Sequence, residues 1–574
     1  MTSIEMTTHR DLRVPMRDGV HLSTDVYRPT SDGKYPTLIV RTPYNKSPHS
    51  SWGFLIIDVE DAIQRGYVLV AQDTRGCHLS EGVFEPFTQE REDGHDAIEW
   101  IASQPWSNGI VGIFGASYMG VTSLQASVDA PAALRASLAY ITAGDYYRTW
   151  GYVGGAFELG FNVRWVLDQA LAQLSRPNHG IDSKVAGAVQ DEMDLYRKDP
   201  IEFFKTNLDP LKIAPASASL IPHLKDWLAH PAYDEYWSRI DVIASADQVN
   251  VPVLSIAGWN DGMLGSMLPL FDALRERSPR DVRDKHRLIV GPWDHAAYLS
   301  SMTASTAGRR NFGPLAMGGR WGMSEAGLAW FDSCLKGIEP ETPMRPIRYF
   351  QIGADIWREL DEWPRNRQKA LWYLWSGGRA NTRLGDGILC EQPPGNLPPD
   401  SYIYDPEEPA QTVGGRNLLH PYIPGGLQDQ GALEDREDVL VYTSARLVNA
   451  VELCGPMRLE LYIRTSAPTT DFTATLVDVD EEGIGMSVAD GILRLANGEE
   501  SINSTRKIEV DLWDTAYEFA VGHRIRVHVT SSNFPRFDRN KNVDPAAEVT
   551  SCAKAVQQIF HDEKHPSVLM LTLS

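Results

Sequence analysis

The sequence predicts an α/β protein: a doubly wound parallel sheet, interrupted by a helical insertion and followed by an all-β domain. Three observations carry that reading. Short apolar runs at 38–41, 67–72, 110–114 and 134–141 alternate with amphipathic helical stretches, as a sheet covered on both faces requires. From Asp145 to about Ile240 the strand-like runs vanish and helical stretches such as 165–174 and 186–196 take over. Beyond Trp363-Pro364 the period changes to two. Leu459, Leu461 and Ile463 alternate with Arg458, Glu460 and Tyr462, and Ile525, Val527 and Val529 with Arg524, Arg526 and His528, giving one buried and one wet face.

Taken in order, residues 13–22 read as a hairpin turning on Asp18-Gly19 and continuing into a strand at 25–29. Around 94–101, Ala97, Ile98 and Ile101 share one helical face, suited to packing on the sheet. The sheet resumes at Val251 and His286, and a helix at 326–335 with a strand at 345–353 completes it. Residues 402–426, rich in Pro and Gly, read as a long loop. The insertion falls between core strands and above the edge where strands end, so it reads as a cap that shapes a pocket.

Gly112 to Gly120 reads as a strand that stops at Ser117 between small residues, with helical sequence from Val121. A tight turn there lifts a serine hydroxyl above the carboxyl edge of a sheet. The second glycine stands three residues after the serine, not two as in G-x-S-x-G. Two further apolar runs end in polar loops: Val251–Gly258 in Trp259-Asn260-Asp261-Gly262, and His286–Gly291 in Pro292-Trp293-Asp294-His295. Reactive groups of such folds sit beyond the carboxyl ends of strands. Ser117, Asp261 and His295 all occupy that position, in the Ser…Asp…His order of the α/β-hydrolases. His286, Asp284 and Asp247 precede their strands and belong to the opposite edge. In this arrangement His295 takes the Ser117 proton, and Asp261 holds the imidazole tautomer. The oxyanion needs donors. One is the backbone N–H of Tyr118; the loop Thr42-Pro43-Tyr44-Asn45-Lys46 has no glycine run, which makes the Tyr44 phenol the candidate for the second.

These motifs resemble a known family. Arg41-Thr42-Pro43-Tyr44, Gln72-Asp73-Thr74-Arg75-Gly76 with Ser80-Glu81-Gly82, Gly115 to Gly120, Gly258 to Gly262, Gly291 to His295 and Ser532 to Asn540 are similar to those of the CocE/NonD hydrolases, the bacterial cocaine esterase group, relatives of the X-Pro dipeptidyl peptidases. The resemblance implies a Ser117/His295/Asp261 triad, an oxyanion hole of Tyr44 and Tyr118, a possible homodimer, and three domains. Their expected bounds are a hydrolase core at 1–144 and 242–356, a helical cap at 145–241, and a jelly-roll at 357–574. The related α-amino acid ester hydrolases carry acidic residues just after the catalytic aspartate; here Gly262, Met263 and Leu264 follow Asp261, so that activity is discounted. Trp150, Trp165, Trp259 and Met263 are candidates for a substrate pocket suited to an aryl acyl group, with cap–core packing as the competing reading. Asp73 and Arg75 are assigned to loop geometry.

A chain of 574 residues is too long for one core, and roughly 100–200 residues per domain gives three or four. Net charge −22 and pI near 5.1 argue against nucleic acid as a partner, since phosphate binding needs a basic face. Neither a signal peptide nor a membrane-spanning apolar stretch is visible. The five cysteines lack metal-ligand spacing, and neither do His95, His286 and His295 have the spacing of a zinc site; reduced thiols in the cytoplasm are the default. No metal and no cofactor are expected. The resulting expectation is a serine hydrolase that cleaves a small-molecule carboxylic ester with a bulky or aromatic acyl part, through an acyl-enzyme on Ser117. An amidase, acylase or X-Pro peptidase with the same triad is the alternative, and a binding protein with an inactive core the rival from another class.

Overall fold

A strand covered on both faces needs apolar side chains at consecutive positions, and the runs that satisfy this build the central sheet. The computed structural model describes residues 5–47, 56–177, 180–298, 305–316, 320–496, 502–544 and 552–574. β1 (Met6–Pro15) and β2 (His21–Pro29) form an antiparallel hairpin whose turn has Gly19 at φ +84°. β3 (Tyr35–Thr42), β4 (Val68–Asp73), β5 (Ser107–Ala116) and β6 (Leu134–Tyr140) follow in parallel. A short hairpin, β7 (Tyr152–Val153) and β8 (Ala156–Phe157), belongs to the insertion. The sheet then continues with β9 (Val253–Gly258) and β10 (Arg287–Gly291). After a small pair, β11 (Thr306–Ala307) and β12 (Arg310–Asn311), it closes with β13 (Ile347–Gln351) and β14 (Ile356–Leu360). The spatial order is β1-β2-β4-β3-β5-β6-β9-β10-β13-β14.

Consecutive residues of these strands go to opposite sides. Ile39, Val68, Val70, Val111 and Ile113 pack with Ala97, Ile98 and Ile101 of α2 (Glu90–Ser103), which follows the short α1 (Val59–Gln64). Leu38, Val40, Leu69, Ala71 and Phe114 pack instead with Leu328, Phe331 and Leu335 of the helix Arg320–Lys336. The sheet is therefore doubly wound, and α3 (Tyr118–Ala126) starts directly at the end of β5.

The chain leaves the sheet after β6 and re-enters at β9, its parallel neighbour. The intervening segment holds α4 (Leu159–Leu174), α5 (Ser183–Lys198) and a series of short helices. Asp-Pro pairs explain two of these. The Asp199 and Asp209 carboxylates accept the amides of Glu202 and Leu211, while Pro200 and Pro210 supply a helical φ at the first turn. The expectation of an insertion without strands is corrected by β7–β8. Its Gly154-Gly155 turn presses on the β domain, where a Cβ on Gly154 would stand 1.9 Å from the Ile492 carbonyl oxygen.

The C-terminal domain joins twelve strands through one ladder among the described residues. Leu459, Leu461 and Ile463 are buried as their alternation predicts. The strand Arg524–Thr530 departs from a one-wet-face pattern, because Arg526 and His528 are buried as well. Both reach the Glu434 carboxylate, at 2.6 and 2.9 Å, which supplies the charge that lets that face be covered. One apolar cluster runs from Trp259 and Met267 of the core into Leu453, Leu512 and Leu571 of the β domain.

Arg536 joins the β domain to the insertion. Its buried guanidinium donates to Glu158 at 3.0 Å, just before α4, and also pairs with Asp490. Arg536→Ala would leave two buried carboxylates without their cation. The expected loss is about 3–5 kcal/mol of stability, read by chemical denaturation. A loss under about 1 kcal/mol, the range of an exposed pair, would contradict this account.

Candidate active site

Three strand ends meet at one place on the carboxyl edge. Ser117 follows β5, Asp261 follows β9 and His295 follows β10. β9 and β10 are in register at Gly258 and Gly291, so their loops start at the same level. The loops are stitched together: Trp259 N–H donates to Gly291 O at 2.9 Å, and Asn260 N–H to Trp293 O at 3.0 Å. Both glycines are required by close packing. A Cβ on Gly258 would stand 2.3 Å from the Trp293 carbonyl oxygen, and one on Gly291 2.4 Å from the Trp293 ring.

Ser117 sits at φ +55°, ψ −126°, a backbone state that costs a non-glycine residue on the order of 1–3 kcal/mol. The turn is held by Ser117 N–H donating to Tyr140 O at 2.9 Å. Gly115 permits it, since a Cβ there would meet the Met119 carbonyl oxygen at 2.2 Å. His295 Nδ1 lies 2.9 Å from Asp261 Oδ2, and His295 Nε2 lies 2.9 Å from Ser117 Oγ. A carboxylate can only accept, so Nδ1 carries the proton and Nε2 is free to accept the Ser117 hydroxyl. Asp261 is buried, and its other oxygen accepts the Met263 amide at 2.7 Å. Asp294, next to the histidine, turns its carboxylate to the Ala296 amide instead.

The Tyr118 amide is the first of α3, where no carbonyl of the helix is available to it. The Tyr44 hydroxyl accepts the Trp165 indole N–H at 3.0 Å and touches the Ser117 side chain. Burial raises the Tyr44 pKa, so the phenol keeps its proton and can donate it. Trp165, Trp150 and Met263 lie in one aromatic-rich cluster with Tyr118, Phe84, Phe87 and Trp227. Trp150 and Met263 are wholly buried, and Trp165 is 5% exposed. The structure takes Trp259 away from that wall. Its indole N–H donates to Phe350 O at 2.8 Å and its ring packs on Trp363, in the cluster shared with the β domain. The cause is long-range: the Phe350 carbonyl of β13 satisfies the buried indole N–H and Trp363 covers the ring.

Arg75 pairs with Asp93 and Asp18, both at 2.6 Å, and Asp73 accepts the Lys46 amide at 2.7 Å. Burial pushes the Asp73 carboxyl up to about 7. These contacts are those of loop geometry. Burial likewise raises the Cys77 thiol and keeps it protonated, so it offers no rival nucleophile. His286, wholly buried, accepts the Val253 amide at 3.1 Å, at the start of β9 and so at the opposite edge.

Two contributions have no local sequence pattern. Leu419 and Ile423, in the loop between the strands Asp400–Tyr404 and Leu440–Ser444, join the aromatic cluster of the insertion. Arg416 of the same loop is buried and donates to Trp259 O at 3.0 Å, bracing the turn that carries Asp261. An apolar run inside a Pro/Gly-rich loop was the one available indication of the first; for Arg416 there was none.

Among the described residues no helix is long and apolar enough to cross a membrane. Residues 18–297 match the X-Pro dipeptidyl-peptidase (S15) family, and 341–570 match the X-Pro dipeptidyl-peptidase C-terminal non-catalytic domain. The chain is 34% identical to the cocaine esterase of Rhodococcus sp. (strain MB1 Bresler), over 98% of each chain. An α-amino acid ester hydrolase structure superposes with TM-score 0.80 at 23% identity, covering 100% of this chain and 97% of that one. A CocE/NonD family hydrolase from Staphylococcus aureus gives TM-score 0.69 at 19% identity, covering 99% and 94%.

Proposed function

From a chain that belongs to the CocE/NonD family of hydrolases, we infer that Ser117, His295 and Asp261 act as one catalytic unit on the ester carbonyl. The protein is a serine hydrolase of carboxylic esters with the α/β-hydrolase fold and a C-terminal β domain. The observation that carries the residue assignment is the continuous line from Ser117 Oγ through His295 to Asp261, with both contacts at 2.9 Å.

In the proposed reaction Ser117 Oγ attacks the carbonyl while His295 Nε2 takes its proton. The oxyanion is held by the Tyr118 amide and the Tyr44 hydroxyl. Collapse expels the alcohol, protonated by His295, and leaves an acyl-enzyme on Ser117. Water, activated by the same imidazole, then releases the acid. Asp261 stabilises the imidazolium without becoming protonated. Trp165, packed on Trp150 and in one apolar cluster with Met263, would offer an acyl group an aromatic wall.

That wall predicts a preference. After correction for intrinsic hydroxide reactivity, p-nitrophenyl benzoate should exceed p-nitrophenyl acetate in kcat/KM by roughly tenfold, about 1.4 kcal/mol of aromatic contact. An advantage for acetate would remove the aromatic acyl assignment. Tyr44→Phe keeps the ring and removes one donor. It should cost roughly 2.7–4 kcal/mol of transition-state stabilisation, seen in kcat more than KM. An unchanged kcat in the folded variant would pass the second donor to a backbone amide of the same loop.

The X-Pro peptidase reading is not favoured: the 34% identical relative is an esterase, and Gly262, Met263 and Leu264 after Asp261 put no carboxylate in that loop for a substrate ammonium; an amidase would use the same triad. Five unpaired cysteines support the cytoplasm as the working compartment. A homodimer is part of the reading that family membership supports; light scattering of the full chain measures it.

A further inference from the structure

Beneath the candidate oxyanion hole lies a buried ion pair that the reaction itself does not use. Glu90, the first residue of α2, is 2% exposed and carries Oε2 at 2.8 Å from Arg41 Nη1. Its other oxygen accepts the Tyr118 hydroxyl at 3.0 Å. That hydroxyl in turn accepts the Phe87 amide at 3.0 Å. The phenol of the residue after the nucleophile is thus fixed at both its proton and its lone pair. Its ring stacks with Phe87 and with Trp165, with centroids 5.7 and 5.8 Å away. Trp165 is the residue whose indole donates to the Tyr44 hydroxyl. Arg41 stands three residues before Tyr44, and its carbonyl accepts the Thr122 hydroxyl of α3 at 3.2 Å.

Both candidate oxyanion donors therefore lead back to one carboxylate. We infer that Glu90 is a positioning residue that holds the Tyr118 amide and the Tyr44 hydroxyl in mutual register through the Tyr118 phenol. This rests on the reading of those two groups as the oxyanion donors. Packing alone asks only for an aromatic ring at position 118, and a phenylalanine would supply it. A buried ion pair is also a poor source of stability, since apolar residues of the same volume often serve as well. What the pair and the phenol add is a fixed direction for the elbow. A tight turn at positive φ gains from such bracing, because small displacements of a donor are costly in the transition state.

The test uses the full chain with Tyr118→Phe, Glu90→Gln, Tyr44→Phe and the double variant Tyr44→Phe/Tyr118→Phe. Tyr118→Phe leaves the Glu90–Arg41 pair intact and so keeps the experiment readable if Glu90→Gln does not fold. Each clamp variant should lose kcat by roughly 10- to 100-fold, with KM within about twofold. Affinity for an aryl boronic acid, a tetrahedral mimic, should fall in parallel with kcat. The double variant should lose less than the product of the two single losses, since both act through one oxyanion hole. A folded Tyr118→Phe with unchanged kcat and boronate affinity overturns the clamp. If Tyr44→Phe is costly in that case, the oxyanion reading survives and only the clamp fails. If Tyr44→Phe is also silent, the assignment of the Tyr44 hydroxyl as second donor fails with it and that role passes to a backbone amide of the same loop. A merely structural ion pair would lower the melting temperature and leave the split between kcat and KM untouched.

Discussion

Ser117→Ala is expected to lose ester turnover by on the order of 10⁶-fold and to take no label from an organophosphonate. The argument is geometric. Ser117 is the hydroxyl that His295 Nε2 reaches, at 2.9 Å, and the turn at φ +55° presents it at the carboxyl edge of the sheet. Alanine removes one oxygen and bears the same backbone state, so the fold should stay within about 0.5 kcal/mol of wild type. The His295 nitrogen that loses its partner is in a side chain 19% exposed and can turn to water. Mass spectrometry of the labelled wild type should place the phosphonate on the peptide containing Ser117. Hydrolysis of aryl esters at near wild-type rates by the variant, or an adduct elsewhere, would falsify the elbow assignment.

What the sequence made legible follows from which contacts are local. A strand buried on both faces must be an unbroken apolar run, and Ile110 to Phe114, Val253 to Gly258 and Leu288 to Gly291 declare themselves that way. The residue that ends such a run is at the carboxyl edge by direction of the chain alone, which places Ser117, Asp261 and His295 together without any knowledge of distance. Orientation within those loops is a different matter. Whether Trp259 faces the insertion or the β domain depends on its contacts with Phe350 and Trp363, about a hundred residues away in sequence. Period two likewise assigns Arg526 and His528 to a wet face. They are buried because Glu434, far off in the chain, meets them. Glu90 looks like an ordinary acidic first turn of a helix, a place where carboxylates are favoured in any case. Its role appears only when Tyr118 and Arg41 are seen on its two oxygens. Compensating partners at long range carry no periodicity, and these are what pattern reading misses.

The two histidines that flank β10, His286 before it and His295 after it, test the strand-edge argument most sharply. His295→Ala should lose activity by several orders of magnitude, because Ser117 then has no general base while Asp261 faces an empty site. His286→Ala should leave kcat and KM of the folded protein unchanged. Its Nδ1 accepts the Val253 amide and its Nε2 meets Ser278 Oγ, both at 3.1 Å, so the variant leaves buried polar groups unpaired and should cost about 1–3 kcal/mol of stability. The pH dependence distinguishes the roles as well. Burial pushes the His286 imidazole down from 6.5 to about 3, so the folded state holds it neutral where the unfolded chain protonates. Its contribution to stability is complete above pH 6.5 and is lost as pH falls toward 3; His286→Ala should flatten that part of the stability profile. Urea denaturation at several pH values measures the slope, and p-nitrophenyl ester kinetics at neutral pH measures the rest. Equal catalytic losses in the two variants would mean that the ends of β9 and β10 do not divide function from structure, and the placement of the triad on one edge would have to be abandoned.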